Sequence, residues 1–268
     1  MRRRAGLLLA CALVAKPAYA AEIFFEAVPD SSTCGLHIEG ELRPGDSERL
    51  ARLLVQNPGR FLAAESVSLD SPGGAEEEGL RVAAMLSDAG LAAEVGSSAV
   101  CGGSCAVIYL SAPARTSDGP VLLHAPAPES DQAPLHPRSS QVEAKRAVSE
   151  IETHLSAKGV PEDLIAKLAT LPADRAHAMT AGDYRRAGVL GPAVEKAAVA
   201  ACRISNRDLA GSGQTDGLPG CLRNEVLYPM RLAFLSRVMG ADAVESLVAR
   251  DLQDHGSCTA RVDVRSHF

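Results

Sequence analysis

The sequence predicts an α/β layered fold, because short apolar strands alternate with amphipathic helices and are joined by Gly- and Pro-rich turns. The clearest unit lies at residues 66–95. An apolar strand at 66–69 runs into the turn Asp-Ser-Pro-Gly-Gly at 70–74, and a helix follows at about 75–89. Gly90 ends that helix, and the next strand is predicted at 92–95. No internal repeat is evident.

The rest of the chain continues this alternation. Residues 21–33 are expected to be irregular, and 125–141 to be a mobile surface loop, because that stretch is rich in Pro, Ser and charge. Residues 193–202 and 222–252 are predicted to be helical, with a Gly-rich flexible stretch at 210–220. The remaining predictions are a strand at 36–40, a helix capped at 46 or 47 and ended by 57–59, a tight turn at 101–105, an apolar helix at 106–110, a strand at 120–123, and helices at 142–157, 161–169 and 180–187.

The first twenty residues have the pattern of an export signal. Three arginines at 2–4 precede an apolar run at 5–15, and Ala18-Tyr19-Ala20 supplies the small-x-small pattern of a cleavage site. The apolar run is shorter than the roughly 20 residues of a membrane-spanning helix. We therefore predict cleavage before Ala21 and a periplasmic mature chain. A buried N-terminal helix, or lipidation at Cys11, is the alternative.

Charge and composition exclude several classes of protein. The net charge is −6, and removal of residues 1–20 takes away four positive charges and no negative one, which leaves −10. An acidic chain without a Lys/Arg-rich run is not expected to bind nucleic acid. Aromatic residues make up 3% and Trp is absent, which disfavours aromatic platforms for sugars. The 46% of hydrophobic residues is ample for a core.

Six cysteines remain after the signal, at positions 34, 101, 105, 202, 221 and 258. An even number in an oxidising compartment indicates disulfides, although buried free thiols stay open. No C-x-x-C pair suggests zinc, and no metal site is expected. Cys101 and Cys105 are four residues apart across a tight turn, within reach of the Cα separation that a disulfide needs. We predict that they form one.

Ser104 and His124 are the candidate reactive residues. Ser104 lies between Gly103 and the start of an apolar helix, where free N–H groups and a partial positive charge are available. A plain helix cap is the alternative for this serine. His124 ends an apolar strand and titrates in the range that a general base needs. Gly73-Gly74 can turn N–H groups into a cleft, or can be an ordinary strand-to-helix turn. The other six histidines show no comparable placement.

Three motifs in this order resemble the ClpP proteases: LDSPGG at 69–74, CGGSCA at 101–106 and LLHAP at 122–126. The chain is similar in particular to predicted periplasmic ClpP-like proteins with a C-x-S-x-C element. The resemblance covers roughly residues 34–190. It implies a ClpP/crotonase-like spiral of ββα units at 21–191, and we expect a mostly helical C-terminal extension at 192–268.

The resemblance also implies roles for residues. Ser104 would be the nucleophile, His124 the base, and the N–H groups of Gly74 and Cys105 the oxyanion hole. Asp174 is the nearest match to the family's acid. The separation in sequence between Ser104 and His124 is shorter than the corresponding separation in ClpP. If Asp174 fails, a Ser-Lys dyad with Lys145 is the neighbouring solution.

The chain is therefore predicted to be an exported serine peptidase that acts on peptides or unfolded proteins and needs no cofactor. A partner ATPase unfoldase is not expected, since the periplasm lacks ATP. Coenzyme A chemistry is disfavoured because coenzyme A is also absent outside the cytoplasm. A homo-oligomer is compatible with the family. The alternative is a non-catalytic ClpP-like module that binds a peptide or a protein partner.

Overall fold

Two β-sheets organise the chain, in a computed structural model that describes residues 20–27, 34–125, 137–210, 218–254 and 262–263. Three of the strands have only two residues, and the longest, β3, has seven. The strands are β1 (Glu22–Ala27), β2 (Cys34–Glu39), β3 (Ala64–Asp70), β4 (Ala92–Val95), β5 (Cys101–Gly102), β6 (Arg115–Ser117), β7 (Val121–Leu123), β8 (His177–Ala178) and β9 (Val262–Asp263).

Helices connect and cover these strands. Within the described residues, no helix is both long and apolar enough to cross a lipid bilayer. A π-helical stretch, Arg223–Leu227, joins α10 to α11. The helices are α1 (Asp46–Gln56), α2 (Pro58–Ala63), α3 (Glu76–Asp88), α4 (Ser104–Ser111), α5 (Pro137–Ala157), α6 (Glu162–Thr170), α7 (Ala181–Ala187), α8 (Pro192–Cys202), α9 (Asn206–Leu209), α10 (Gly220–Leu222), α11 (Tyr228–Met239) and α12 (Ala241–Asp254).

The larger sheet has the order β6-β4-β3-β2-β1-β9, and β2, β3, β4 and β6 are parallel to one another. Parallel neighbours need a crossover, and α1 with α2, then α3, then α4 supply the crossovers. The smaller sheet, β5-β7-β8, carries the strands next to the candidate site. This repetition of strand and crossover helix confirms the predicted α/β class.

Helix α4 lies at the centre of the molecule. All eight of its residues are buried, as expected for a helix that is apolar on every side. Its last turn is held by Arg115, which is 3% exposed and donates hydrogen bonds to the carbonyls of Leu110, Ala187 and Gly188. Ser104 therefore lies at the first turn of a fully buried helix whose last turn is hydrogen-bonded to Arg115.

Several predicted boundaries were wrong. Residues 22–27, expected to be irregular, form β1, because Phe24 and Phe25 are buried in antiparallel pairing with β2. Helix α1 ends at Gln56, as predicted from residues 57–59, but Pro58 then begins a second helix, α2, that was not predicted, since proline is accommodated in the first turn of a helix. Residues 137–141 belong to α5 rather than to a loop. Helix α4 begins at Ser104, two residues earlier than predicted. The cap of α1 is Gly45, not residue 46 or 47.

The C-terminal helices pack against the rest of the chain. Phe234 of α11 makes an edge-on contact with Phe61 of α2, with ring centroids 5.6 Å apart. Arg231 donates a hydrogen bond to the carbonyl of Gly90 at 3.2 Å. The predicted export signal at 1–19 and most of the predicted flexible stretch at 210–220 lie outside the described residues.

Candidate functional site

Ser104 is the first residue of α4. The preceding Gly103 has φ 51° and ψ −120°, a conformation that only glycine adopts readily, and it turns the chain sharply from β5 into the helix. The first N–H groups of a helix have no partner within it, so this turn surrounds Ser104 with unpaired donors. The serine is fully buried, and its hydroxyl donates a hydrogen bond to the carbonyl oxygen of Gly74, with 3.4 Å between the oxygens.

The residue that packs against Ser104 from α3 is Gly79. A methyl group built on Gly79 would lie 2.5 Å from Ser104 Cβ, much closer than two carbons can approach. The absence of a side chain at Gly79 is therefore what lets α3 and α4 meet at this point. The sequence gives no local reason for a glycine in the interior of this helix, and the contact supplies one.

Gly73 and Gly74 form the turn between β3 and α3. Their φ angles are 106° and 134°, and a methyl group on Gly74 would lie 2.1 Å from the carbonyl oxygen of Leu42. Leu42 N–H donates to Gly73 O, and Ala75 N–H donates to Leu42 O, both at 2.8 Å. Among the described backbone groups, these bonds leave the Gly74 N–H without an acceptor.

His124 follows β7, and its ring lies against the two glycines before Ser104. A methyl group built on Gly103 would lie 2.8 Å from Cε1 of the ring, and one on Gly102 would lie 3.1 Å from Nε2. The Nδ1 atom is 2.9 Å from the carbonyl oxygen of Ala125. A carbonyl can only accept a hydrogen bond, so Nδ1 carries the proton in this arrangement. Nε2 faces the turn that leads into Ser104.

No carboxylate stands opposite His124 in the small sheet. The antiparallel register of β7 and β8 pairs Leu122 with Ala178 and Leu123 with His177, so continuing it by one residue brings Ala176 opposite His124. Asp174 lies in the short 3₁₀ turn Ala173–Arg175 and is exposed. The described hydrogen bonds do not join it to His124. Lys145, the alternative, is exposed on α5.

The buried acid of this region is Asp183, which belongs to a different cluster. It caps α7, accepts hydrogen bonds from Thr180 and His177, and pairs with Lys167. His177 is paired with Leu123, and successive side chains of a strand point to opposite faces. The His177 cluster therefore lies on the face of the small sheet opposite to His124, and it serves to hold α6 and α7 on β8.

The structure joins Cys101 and Cys105, whose Cα atoms are 5.2 Å apart, as predicted for this pair. The bridge connects β5 to the second residue of α4 and so encloses the Gly102–Ser104 turn. A second bridge joins Cys202 and Cys221 in the C-terminal helices, which the sequence did not assign. The cysteine spacing around Ser104 is C-x-x-S-C, which differs from the C-x-S-x-C element of the resemblance.

Glu76, the first residue of α3, is a candidate that sequence reasoning missed. Its Oε1 atom is buried without a hydrogen-bond partner, whereas every other such atom among the described residues is an arginine Nε. Burial, together with the nearby charge of Glu150, raises the pKa of Glu76 to about 7. Glu76 is one helical turn before Gly79, on the same face of α3. A partly buried carboxyl group with a raised pKa and an oxygen without a hydrogen-bond partner is a candidate functional group.

The described residues contain no group of three or more His, Cys, Asp and Glu side chains arranged to hold a metal ion.

No protein-family model matches the chain, and no curated protein is significantly similar to it. Among solved structures, the chain is similar to a variant of the 1510-N membrane-bound stomatin-specific protease, with 12% identity and a TM-score of 0.41 over 64% of this chain and 87% of that one. A ClpP1 variant from Listeria monocytogenes has 19% identity and a TM-score of 0.42, over 58% of this chain and 88% of that one.

An enoyl-CoA hydratase from Shewanella pealeana has 9% identity and a TM-score of 0.41, over 87% of this chain and 89% of the hydratase. The neighbours thus include peptidases and hydratases. At such identities and TM-scores the likenesses carry no argument about activity or substrate.

Proposed function

We propose that the chain is an exported serine hydrolase, an ATP-independent peptidase in which Ser104 is the nucleophile and His124 the base. The observation that carries the proposal is the ring of His124, which lies against the Gly102–Gly103 turn leading into Ser104, with Nδ1 bonded to a carbonyl and Nε2 on the side of that turn. A neutral imidazole with its free nitrogen on the serine side has the tautomer that a general base requires.

The chemistry follows from these positions. Nε2 of His124 accepts the proton of the Ser104 hydroxyl as Oγ attacks the carbonyl carbon of the substrate. The carbonyl oxygen becomes an oxyanion, to which the N–H groups of Gly74 and Cys105 donate. The imidazolium then gives its proton to the leaving amine, and an acyl group remains on Ser104. A water molecule, deprotonated by the same imidazole, releases the acyl group as a carboxylic acid and restores the serine.

The third catalytic residue remains Asp174 in this proposal. The Ala125 carbonyl fixes the tautomer of His124 but has no charge with which to stabilise an imidazolium. A carboxylate would supply that charge, and Asp174 is near in the chain to Ala176, the residue opposite His124 in the sheet. Replacement of Asp174 by Asn should therefore slow acylation while leaving the fold intact, because the residue is exposed.

Export and substrate class complete the proposal. The Ala18-Tyr19-Ala20 pattern and the disulfides at Cys101–Cys105 and Cys202–Cys221 favour a periplasmic protein cut before Ala21. Peptides and unfolded segments are the expected substrates, without an ATPase unfoldase and without nucleic acid, and a homo-oligomer is compatible with the family. The division at Gly191 separates the ClpP/crotonase-like domain from the C-terminal extension.

One observation favours the second candidate, a peptide- or partner-binding module without catalysis. Ser104 is fully buried, and its proton is donated to the Gly74 carbonyl rather than to His124. Catalysis therefore requires the serine side chain to rotate and the site to open. A binding module would need neither movement, and the same free Gly74 N–H would serve to hold a peptide carbonyl.

Labelling by a fluorophosphonate probe distinguishes the two candidates. The expected result is one label per chain on Ser104, lost in Ser104→Ala and nearly lost in His124→Ala. Residual peptidase activity should be nearly equal in both variants and in the double variant, since residues that act in one step have strongly non-additive effects. Ser98→Ala, at an exposed serine, and His154→Ala, at a histidine bonded to Ser111, are the matched controls. A folded protein that no probe labels favours the binding module.

A further inference from the structure

The backbone nitrogen of Ala21 is held by a buried carboxylate. Ala21 is fully buried, and its N–H donates to Oδ2 of Asp46, at 3.3 Å. The residue before it, Ala20, is exposed and makes a single bridge to Glu41 at the edge of the sheet. The carbonyl of Ala21 accepts a second bond, from Nη1 of Arg49, at 2.9 Å. Both sides of this one residue are thus bound by α1.

Asp46 is a buried carboxylate whose oxygens accept hydrogen bonds from Ala21, Arg43 and Arg49. Its side chain is 1% exposed, and Oδ1 pairs with Arg49 Nη1 at 2.8 Å while Oδ2 accepts the N–H of Arg43 at 2.8 Å. Burial nevertheless raises the pKa of Asp46 above its ordinary value, despite these bonds. The donors present therefore do not fully compensate the loss of water around the carboxylate.

We infer that Asp46 is the binding site for the α-ammonium group that processing creates at Ala21. Cleavage before Ala21 converts the amide N–H, a neutral donor, into an ammonium at the same position. The bond from a neutral N–H to the carboxylate then becomes an ion pair as well, so the attraction between Ala21 and Asp46 increases. The inference goes beyond the proposed function and rests only on its export part.

The same contact connects the new terminus to the candidate site. Ser47, the neighbour of Asp46 in the first turn of α1, donates its N–H to Oε2 of Glu78 at 2.8 Å. Glu78 is 3% exposed and precedes Gly79, whose Cα face touches Ser104. The first turn of α1, which holds Ala21, is therefore hydrogen-bonded to α3 at the residue before Gly79. The free terminus belongs to the folded core rather than to a tail.

Four proteins test the inference: chain 21–268 beginning with a free Ala21, the same chain with one Gly added before Ala21, and both with Asp46→Asn. The structure itself carries a residue before Ala21, so the added Gly has room. The expected result is an unfolding equilibrium constant, measured in urea, that is about tenfold or more smaller for the free Ala21 form than for the extended form. The difference should vanish with Asp46→Asn.

Glu48→Gln is the matched control, because Glu48 is an exposed acid two residues along the same helix, and it should preserve the full difference. If Asp46→Asn fails to fold, acylation of the terminal amine by an N-hydroxysuccinimide ester decides. The free Ala21 amine should react about tenfold or more slowly than the amine of the extended form. Equal stability of the two forms, or equal acylation rates, overturns the inference. A periplasmic chain whose intact mass shows another first residue overturns it as well, whether or not Ser104 is labelled.

Discussion

Replacement of Gly79 by Ala measures how closely α3 and α4 must approach. The new Cβ would lie 2.5 Å from Ser104 Cβ, and 3.2 Å from the Ser104 carbonyl oxygen. Non-bonded carbons prefer separations of about 3.5–4.0 Å, so one helix has to move by roughly 1 Å. Because α4 is buried on every side and held at its end by Arg115, the movement falls on the first turn of α4 or on α3.

The two consequences differ in size. Overpacking costs about 1–3 kcal/mol of the free energy of unfolding, and the helix propensity of Ala returns about 1 kcal/mol, which leaves a net loss of about 0–2 kcal/mol. A reactive group displaced by about 1 Å loses about 100-fold in rate. Gly79→Ala should therefore unfold at only slightly lower urea but label with fluorophosphonate about 100-fold more slowly.

Gly182→Ala is the matched control, since Gly182 also lies in a helix, and its nearest neighbour would be Thr180 Oγ1 at an ordinary 3.5 Å. It should be neutral or stabilising by up to about 1 kcal/mol, with unchanged labelling. If Gly79→Ala stabilises the protein as Gly182→Ala does, and labels at the wild-type rate, the contact between α3 and Ser104 does not control the serine and the argument fails.

Three further predictions use the same two assays. Loop entropy predicts that Cys101→Ala/Cys105→Ala loses about 2 kcal/mol and Cys202→Ala/Cys221→Ala about 3 kcal/mol of the free energy of unfolding. Only the first pair should slow labelling, because only that bridge encloses the turn before Ser104. Slowing by the second pair alone would contradict this position of the first bridge. The pKa of Glu76 is raised to about 7, so its ionisation destabilises the folded state as pH rises from about 4.5 to 7. After a discount for its partial exposure, Glu76→Gln should be more stable than wild type by about 1–2 kcal/mol above pH 7 and equally stable below about pH 4. Glu77→Gln, at an exposed neighbour, should show no such gain. A destabilised Glu76→Gln would instead mean that Glu76 has a structural role. Burial alone would raise the pKa of Asp183, but hydrogen bonds from Thr180, His177 and Lys167 hold it far below its usual range. The contribution of Asp183 to the free energy of unfolding is therefore complete above about pH 4 and falls as the pH decreases. Asp183→Asn should lose about 3–5 kcal/mol at pH 7, and its stability should depend less on pH in the acid range. An unchanged dependence of stability on acid pH would refute this.

The order of strands and helices was predictable because it depends on local periodicity and on Gly and Pro at the turns. Strand β1 was missed because its apolar run is only Ile23, Phe24 and Phe25 between two glutamates. Such a short run becomes a strand through pairing with β2, which is a non-local interaction that sequence periodicity does not report. The continuation of α5 into residues 137–141 was missed for a different reason. The Pro and Ser residues there indicate a loop by composition alone.

The candidate site divides in the same way. The glycine turns were predictable, and the start of α4 was predictable to within two residues, because each depends on a few adjacent residues. The approach of His124 to Gly103 was expected only from the resemblance, since twenty residues separate the serine from the histidine. The alanine opposite His124 depends on the register of β7 and β8, and the unpaired carboxyl of Glu76 depends on what α5 brings beside it. No sequence pattern carries either fact.

The bond from Ser104 to the Gly74 carbonyl has a kinetic consequence. A hydroxyl has a single proton, and here the Ser104 hydroxyl donates it to the carbonyl oxygen of Gly74. In a hydrolase with this ground state, the encounter with a reagent is followed by a rotation about the Cα–Cβ bond of the serine before any bond can form. The observed rate would then level off at high reagent concentration, at a value set by the rotation and not by the leaving group. Two probes with very different leaving groups would therefore reach the same maximum rate, because rotation of the serine side chain would limit both reactions.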